Sequence, residues 1–303
     1  MAYQSLNQWL RTQYGCKVYK LALQGVTTCP NRDGTAGRRG CVFCSEYGSG
    51  EFAASGPIEM QLREAKARVA AKVPADAKYI AYFQSFTNTY APVERLRALF
   101  TAAMEPEDIV ALSVATRPDC LEDDVLDLLE ELNKEKSVWV ELGLQTIHPQ
   151  SAAYIRRGYD LPVFDRAVRE LKRRGITVIV HQIIGLPGET DEMIWQTAAY
   201  IARSGADGVK FHLLHILRNT DLARDYEAGK VEALDMDEYF RLLSGCVERI
   251  RPDMVVHRLT GDGAKRDLIA PLWSGDKKRV LNSLRRYFDD HATEQGRLWE
   301  ANP

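Results

Sequence analysis

The chain has 303 residues, 45% of them hydrophobic and 27% charged, a globular composition with enough apolar side chain for a sizeable core. Its formal net charge of −2 excludes a chain-wide basic footprint for nucleic acid and leaves only a local patch for that purpose. Six cysteines in a chain of this length, three of them close together, do not make a secreted disulfide framework. With neither a leader pattern nor an apolar run of about eighteen residues, the expectation is a reduced, cytoplasmic protein that does not span a membrane.

In chain order, residues 5–13 form an amphipathic helix with Leu6, Trp9 and Leu10 on one face. A strand over Val18–Leu23 leads into a loop rich in glycine and arginine. A charged helix over Ile58–Lys72 precedes a strand at Lys78–Phe83, and a helix over Val93–Ala103 precedes a strand at Ile109–Ala115. The alternation continues with Leu121–Asn133 and Ser137–Leu144, Pro162–Arg174 and Ile176–Ile184, then Thr190–Arg203 and Gly208–Leu213. Short apolar strands alternating with helices indicate βαβ units and a parallel sheet. Six such units, with polar residues gathered at strand C-terminal ends, predict an α/β barrel or partial barrel, with a flat doubly wound sheet as the alternative. The expected core is 14–250. Residues 251–303, with a helix over Asp237–Arg251 before them, a short strand at Met254–His257 and a basic helix at Lys277–Asp290, form a C-terminal extension packed on it.

The loop after the first strand, 29–44, carries Cys29, Cys41 and Cys44 in the spacing C-x11-C-x2-C. Thiolates are soft ligands that suit iron–sulfur centres or zinc. A closed structural zinc site takes four protein ligands, usually as two close pairs. Three thiols leave one metal position open, as a catalytic centre requires. A three-cysteine [4Fe–4S] cluster, a zinc site completed from elsewhere and free buried thiols all remain open on the loop alone.

Further matches lie along the chain: Cys29-Pro-Asn-Arg-Asp-Gly with Cys41 and Cys44, Ala81-Tyr-Phe-Gln, Thr116-Arg-Pro-Asp-Cys120, Glu141-Leu-Gly-Leu-Gln-Thr146, Arg157-Gly, Gly185-Leu-Pro-Gly-Glu189 and His257-Arg-Leu-Thr-Gly-Asp262. Together and in this order they resemble the radical S-adenosylmethionine (SAM) superfamily, most closely its YhcC/YtqA-like branch, which is related to Elongator-type and coproporphyrinogen dehydrogenase-type proteins. The spacing departs from the superfamily's commoner C-x3-C-x2-C, and the long first gap is that of this branch and its Elongator-type relatives. The resemblance implies a (β/α)6 partial TIM barrel of the radical SAM type. It also implies a [4Fe–4S] cluster held by Cys29, Cys41 and Cys44, with SAM on the fourth iron and a one-electron donor such as flavodoxin or ferredoxin.

For SAM, the resemblance places the turn with Gln84, Ser85, Thr87 and Asn88 at the methionine amino group, although the family's glycine pair and acidic residue are absent there. It places Gln145 at the ribose, Arg157 at the methionine carboxylate, and Gly185 and Pro187 at the adenine. Thr116 and Glu141 either touch SAM or brace the strand ends. Cys120 is a candidate hydrogen-atom donor or substrate contact, against the commoner fate of a buried thiol. Lys210, His212 and His215 leave the sixth strand toward the same mouth and are candidates to orient an anionic or amine-bearing substrate, or else are satisfied structural groups. His257, Arg258 and Asp262 form a second polar cluster. Arg32, Arg38 and Arg39 either offset cluster charge or meet an anion, or form a solvated loop. Cys16 and Cys246 are read as packing.

By resemblance to the YtqA side of the branch, the implied activity is radical SAM chemistry in tRNA wobble-uridine modification, on 5-carboxymethylaminomethyl-2-thiouridine. Lys277–Arg279, Arg285–Arg286 and Lys172–Arg174 are compatible with phosphate contacts, or are solvated helix faces. The alternatives are a radical SAM enzyme on a small metabolite and a non-enzymatic zinc or iron–sulfur binding protein.

Overall fold

The computed structural model describes residues 2–48, 50, 53–261, 263 and 265–301. The chain runs α1 (Leu6–Tyr14), β1 (Val18–Leu23), the one-turn α2 (Pro30–Asp33), α3 (Ile58–Val69), β2 (Lys78–Phe83), α4 (Val93–Met104), β3 (Ile109–Thr116), α5 (Asp123–Asn133), β4 (Ser137–Gln145) and α6 (Pro149–Tyr154). It continues with α7 (Leu161–Arg173), β5 (Thr177–Ile184), α8 (Asp191–Arg203), β6 (Gly208–Leu213), β7 (Ile216–Leu217), α9 (Asp221–Glu227), α10 (Met236–Arg249), β8 (Val255–Arg258), β9 (Leu268–Ala270) and α11 (Lys277–Asp290). Side chains accept from the first turn of several helices, Ser5 from the Gln8 N–H and Asp235 from the Glu238 N–H among them, and so satisfy donors that the helix leaves open.

Seven strands form one parallel sheet in the order β1-β2-β3-β4-β5-β6-β8, and β7 and β9 make a separate antiparallel pair. The sequence pattern predicts all seven parallel strands within two residues at either end, but only six of them as members of the barrel. The seventh comes from the segment read as an extension: Gly208 of β6 pairs with Val255 of β8. The N-terminus is tied to that edge, because Ser5 bridges to Val256 and Gln295 joins Gln4 to the turn at 251–254.

Strand alternation sorts the side chains into two sets. Leu21, Leu23, Ala81, Phe83, Leu112, Val114, Val140, Leu142, Val178, Val180, Val209 and Phe211 belong to the large core shared with the helices. The opposite parity lines the concave face. Its lowest layer is apolar, with Val18, Ile80, Ala111, Trp139 and Ile179 closed off by Leu10 of α1. Above it sits a polar layer of Lys20, Tyr82, Ser113, Glu141, His181 and Lys210. The Lys210 Nζ on β6 lies 3.0 Å from the Tyr82 hydroxyl on β2. In a flat sheet those strands would stand roughly 19 Å apart, four spacings of about 4.8 Å, so the sheet is curled into a partial barrel.

Candidate active site

The cysteine loop owes its shape to a few side chains that fold it against the barrel mouth. Pro30 sits in the first turn of α2, where its missing N–H costs no hydrogen bond, and Gly34 ends the turn at φ +102°. The Arg32 guanidinium donates to the carbonyl of Cys44 at 3.2 Å and to those of Ser45 and Glu46, and it stacks over Phe86. The buried Asn31 amide donates to the carbonyls of Arg156 and Arg157 at 2.7 and 3.3 Å and reaches the Cys41 Sγ at 3.6 Å. That approach needs Gly158, at φ +83°, where a Cβ would meet the Asn31 Oδ1 at 2.7 Å. On its outer side the loop is held by α9: Val42 O accepts from Leu222 N, and Arg39 and Arg156 both pair with Asp221.

Cys29, Cys41 and Cys44 all line one cavity of about 260 Å³ at the C-terminal ends of the parallel strands. Among the described residues no three His, Cys, Asp or Glu side chains stand closely enough to hold a single ion, so the thiols share the cavity without converging on a point. Burial and the neighbouring Cys44 push the Cys41 thiol up to about 12, so its thiolate form calls for a cationic partner.

Of the residues expected at SAM, Gln84, Thr87, Thr116, Glu141, Gln145 and Arg157 line this cavity. Gln145 does so through an unusual backbone. It lies at φ +69°, at a register break between Gly143 and itself, and its amide folds over Gly143, where a Cβ would meet it at 2.8 Å. A left-handed residue that is not glycine carries local strain. Arg157 is buried, and its guanidinium is engaged by the carbonyls of Leu144, Thr146 and Tyr159, with the Tyr159 ring 4.5 Å beneath it. It therefore braces the end of β4 in this structure.

Four other expected contacts lie off the cavity lining. The Asn88 side chain is fully used in tying its turn to its neighbours, donating to the carbonyls of Phe83, Ser85 and Ala115 and accepting from Val26 N. Ser85 is packed beneath Gly50. Gly185, at φ +95°, presses on Leu234 and Leu214, and Pro187 also lies outside the lining. Cys120 is buried away from it too, with burial and the adjacent Asp119 pushing its thiol up to about 12.

His212 and His215 line the cavity; Lys210 is enclosed below it. The His215 Nε2 lies 3.1 Å from the Ser274 Oγ, and Gly261 and Gly263 press on its ring. Arg258 lines the cavity, His257 faces Trp139 lower down, and Asp262 falls outside the described residues.

The cavity floor holds the group that sequence reasoning saw only in part. Glu141, fully buried, accepts from Lys20 at 2.6 Å, Ser113 at 2.7 Å, His181 at 2.8 Å and Lys210. Burial alone would raise its carboxyl; Lys20, Lys210 and His181 outweigh that and hold it well below the usual carboxylate range. Burial lowers both lysines, with Glu141 opposing. Burial also takes His181 down to about 4 and His212 and His257 well below the ordinary imidazole value. Lys20, Tyr82, Ser113 and His181 were absent from the expected site, as were Asn31, Arg117 and Tyr159 at the mouth. The first four share the inward parity of their strands, a pattern that appears only when the strands are set in register.

A family model described as the radical SAM superfamily matches residues 32–201, more than half of the chain, and one described as the radical SAM C-terminal domain matches 206–290. The chain is 45% identical to YtqA of Bacillus subtilis over 98% of its length and 93% of that protein's, and 37% identical to YhcC of Escherichia coli over 96% and 94%. It is 28% identical to a tRNA uridine(34) acetyltransferase of Methanocaldococcus jannaschii over 60% of this chain and 33% of that protein. Its fold is similar to that of the archaeal Elp3 of Methanocaldococcus infernus, at TM-score 0.67 and 18% identity, covering 92% of this chain and 64% of the other.

Proposed function

The chain belongs to the radical SAM superfamily, in its YhcC/YtqA-like branch, and from that premise we propose that it acts on the wobble uridine of tRNA, at a 5-carboxymethylaminomethyl-2-thiouridine side chain. Members of this superfamily are enzymes that use a [4Fe–4S] cluster and SAM. The donor set here fits: three thiols share one cavity, and the Asn31 amide reaches one of them. Cys29, Cys41 and Cys44 would hold the cluster and leave one iron for SAM. Bound there, the cluster and SAM would supply one-electron reductive chemistry that removes a hydrogen atom from substrate, the electron coming from a donor such as flavodoxin or ferredoxin.

The chain's own residues then bind, orient and exclude water. Gln145 faces the cavity from the end of β4, within reach of a ribose lying there. Gln84, Thr87 and Thr116 offer polar contacts along the same rim, and Phe86 and Tyr159 close it against solvent. His212 and His215 stand on the wall toward the substrate side. The buried Lys210 acts on the cavity through Glu141 and Tyr82.

For tRNA, the supporting observation is the match to a protein that is named for uridine 34 of tRNA. Placement supports it as well. Arg38, Arg39, Lys265, Arg266 and Lys277–Arg279 are exposed. Arg266 lies over Tyr47 of the cysteine loop, and His215 on the cavity wall bonds Ser274 just before α11. Cations thus flank the mouth on two sides, where a phosphate backbone would run.

The test is anaerobic reconstitution with iron and sulfide, reduction, and incubation with SAM and tRNA bearing the carboxymethylaminomethyl group, followed by mass spectrometry of the nucleosides. Loss of that nucleoside in step with methionine release is expected. An unchanged nucleoside while SAM is cleaved would refute tRNA as the substrate and point to a small metabolite.

A further inference from the structure

We propose that the inner end of the cavity, where Tyr82, Glu141, His181, His212 and Arg258 face it, is a subsite for a carboxylate carried by the substrate. Lys20 and Lys210 share the carboxylate of Glu141, two basic groups on one acid in a buried place. Among the described residues no other carboxylate bonds to either ammonium. Burying an unmatched charge is costly, and an anion brought alongside offsets that cost. The other groups at the floor include a hydroxyl, an arginine and an imidazole with an unused nitrogen. The Tyr82 hydroxyl meets Lys210, the guanidinium of Arg258 lies on the lining, and His212 has its Nε2 buried with no hydrogen-bond partner among the described residues. His181 and His212 lie with their rings 5.0 Å apart, leaving an imidazole edge on the cavity wall. A planar monoanion suits such a set of basic and hydrogen-bonding groups.

The methionine end of SAM is the other carboxylate at hand, and depth separates the two. SAM must reach an iron held by cysteines at the strand ends, whereas Glu141 lies four residues before Gln145. At about 3.3 Å of rise per residue this is roughly 13 Å deeper along β4. The inference rests on the reading that substrate lies in this cavity beneath SAM, and it holds for any carboxylate-bearing substrate.

The experiment uses the cluster-loaded full chain with ¹³C-labelled histidine, assigned through His181→Gln and His212→Gln, and sodium formate as the probe. With SAM saturating, formate is expected to shift the His181 and His212 resonances to a plateau, while sodium chloride at equal ionic strength does not. Arg258→Gln and Lys210→Met should each raise the formate midpoint at least tenfold; if Lys210→Met does not fold, Arg258→Gln gives the same reading. Loss of the formate shift on adding SAM would overturn the proposal, because the floor would then belong to the cofactor's carboxylate. A shift no different from chloride's would overturn it as well. The readout needs no RNA, so failure of the tRNA assay and failure of this subsite are separate results.

Discussion

Replacing Glu141 by Gln keeps its shape and removes the one carboxylate that, among the described residues, pairs with two buried ammoniums. The carboxylate has no solvent exposure and takes hydrogen bonds from Lys20, Ser113, His181 and Lys210. Removing one partner of a buried ion pair costs about 3–5 kcal/mol, which for a chain of this size lowers Tm by about 5–10 °C. A surface control, Glu131→Gln, breaks a pair with Arg97 whose side chains are 54% and 39% exposed, and solvent screening should leave its stability close to wild type. The Glu141 variant has one route of relief, which is for its lysines to release protons, since burial already lowers both. Between the depressed folded pKa and the ordinary lysine value the unfolded chain holds more protons, so stability rises with pH. Without Glu141 to oppose burial that rise is steeper, and the gap from wild type should narrow from pH 7 to pH 9. Urea unfolding of the three cluster-free proteins at both pH values measures this. A Glu141→Gln protein within about 1 kcal/mol of wild type, or a gap that does not narrow, would refute the reasoning.

Acid should destabilise the fold before its carboxylates titrate. Unfolded histidine takes up protons near pH 6.5, whereas folded His181 does so only near about 4, and burial holds His212 and His257 well below the ordinary imidazole value. Stability is therefore expected to fall as pH drops from about 6.5 to 4, and a flat Tm across that range would contradict the burial assigned to these rings. At Gln145, φ +69° favours glycine. Gln145→Gly should leave Tm unchanged or slightly raised while SAM binding to the reconstituted protein weakens several-fold; unchanged SAM affinity would remove Gln145 from the cofactor site.

The sheet was legible because buried parallel strands read as continuous apolar runs. Val18–Leu23, Lys78–Phe83 and Gly208–Leu213 appear with the same ends in sequence and structure. β8 was visible as a strand, but its place in the sheet depends on pairing with residues nearly fifty positions earlier, which no local pattern records. The polar floor lay within the same strands, and Lys20, Ser113 and His181 go unremarked when each is read alone. Only strand register turns them toward Glu141. The mouth was legible as residue types and less so as geometry. Nothing local shows that Asn31 spans to the carbonyls of Arg156 and Arg157, that backbone carbonyls occupy the Arg157 guanidinium, or that Gly185 packs on Leu234 instead of facing the cavity.

The central claim is that the three loop cysteines support reductive cleavage of SAM in this cavity. Its most direct test is 5′-deoxyadenosine formation by the anaerobically reconstituted, dithionite-reduced protein, with Cys41→Ala alongside. The account predicts deoxyadenosine from the parent protein and none from the variant. A colourless, zinc-loaded parent that forms none would contradict it.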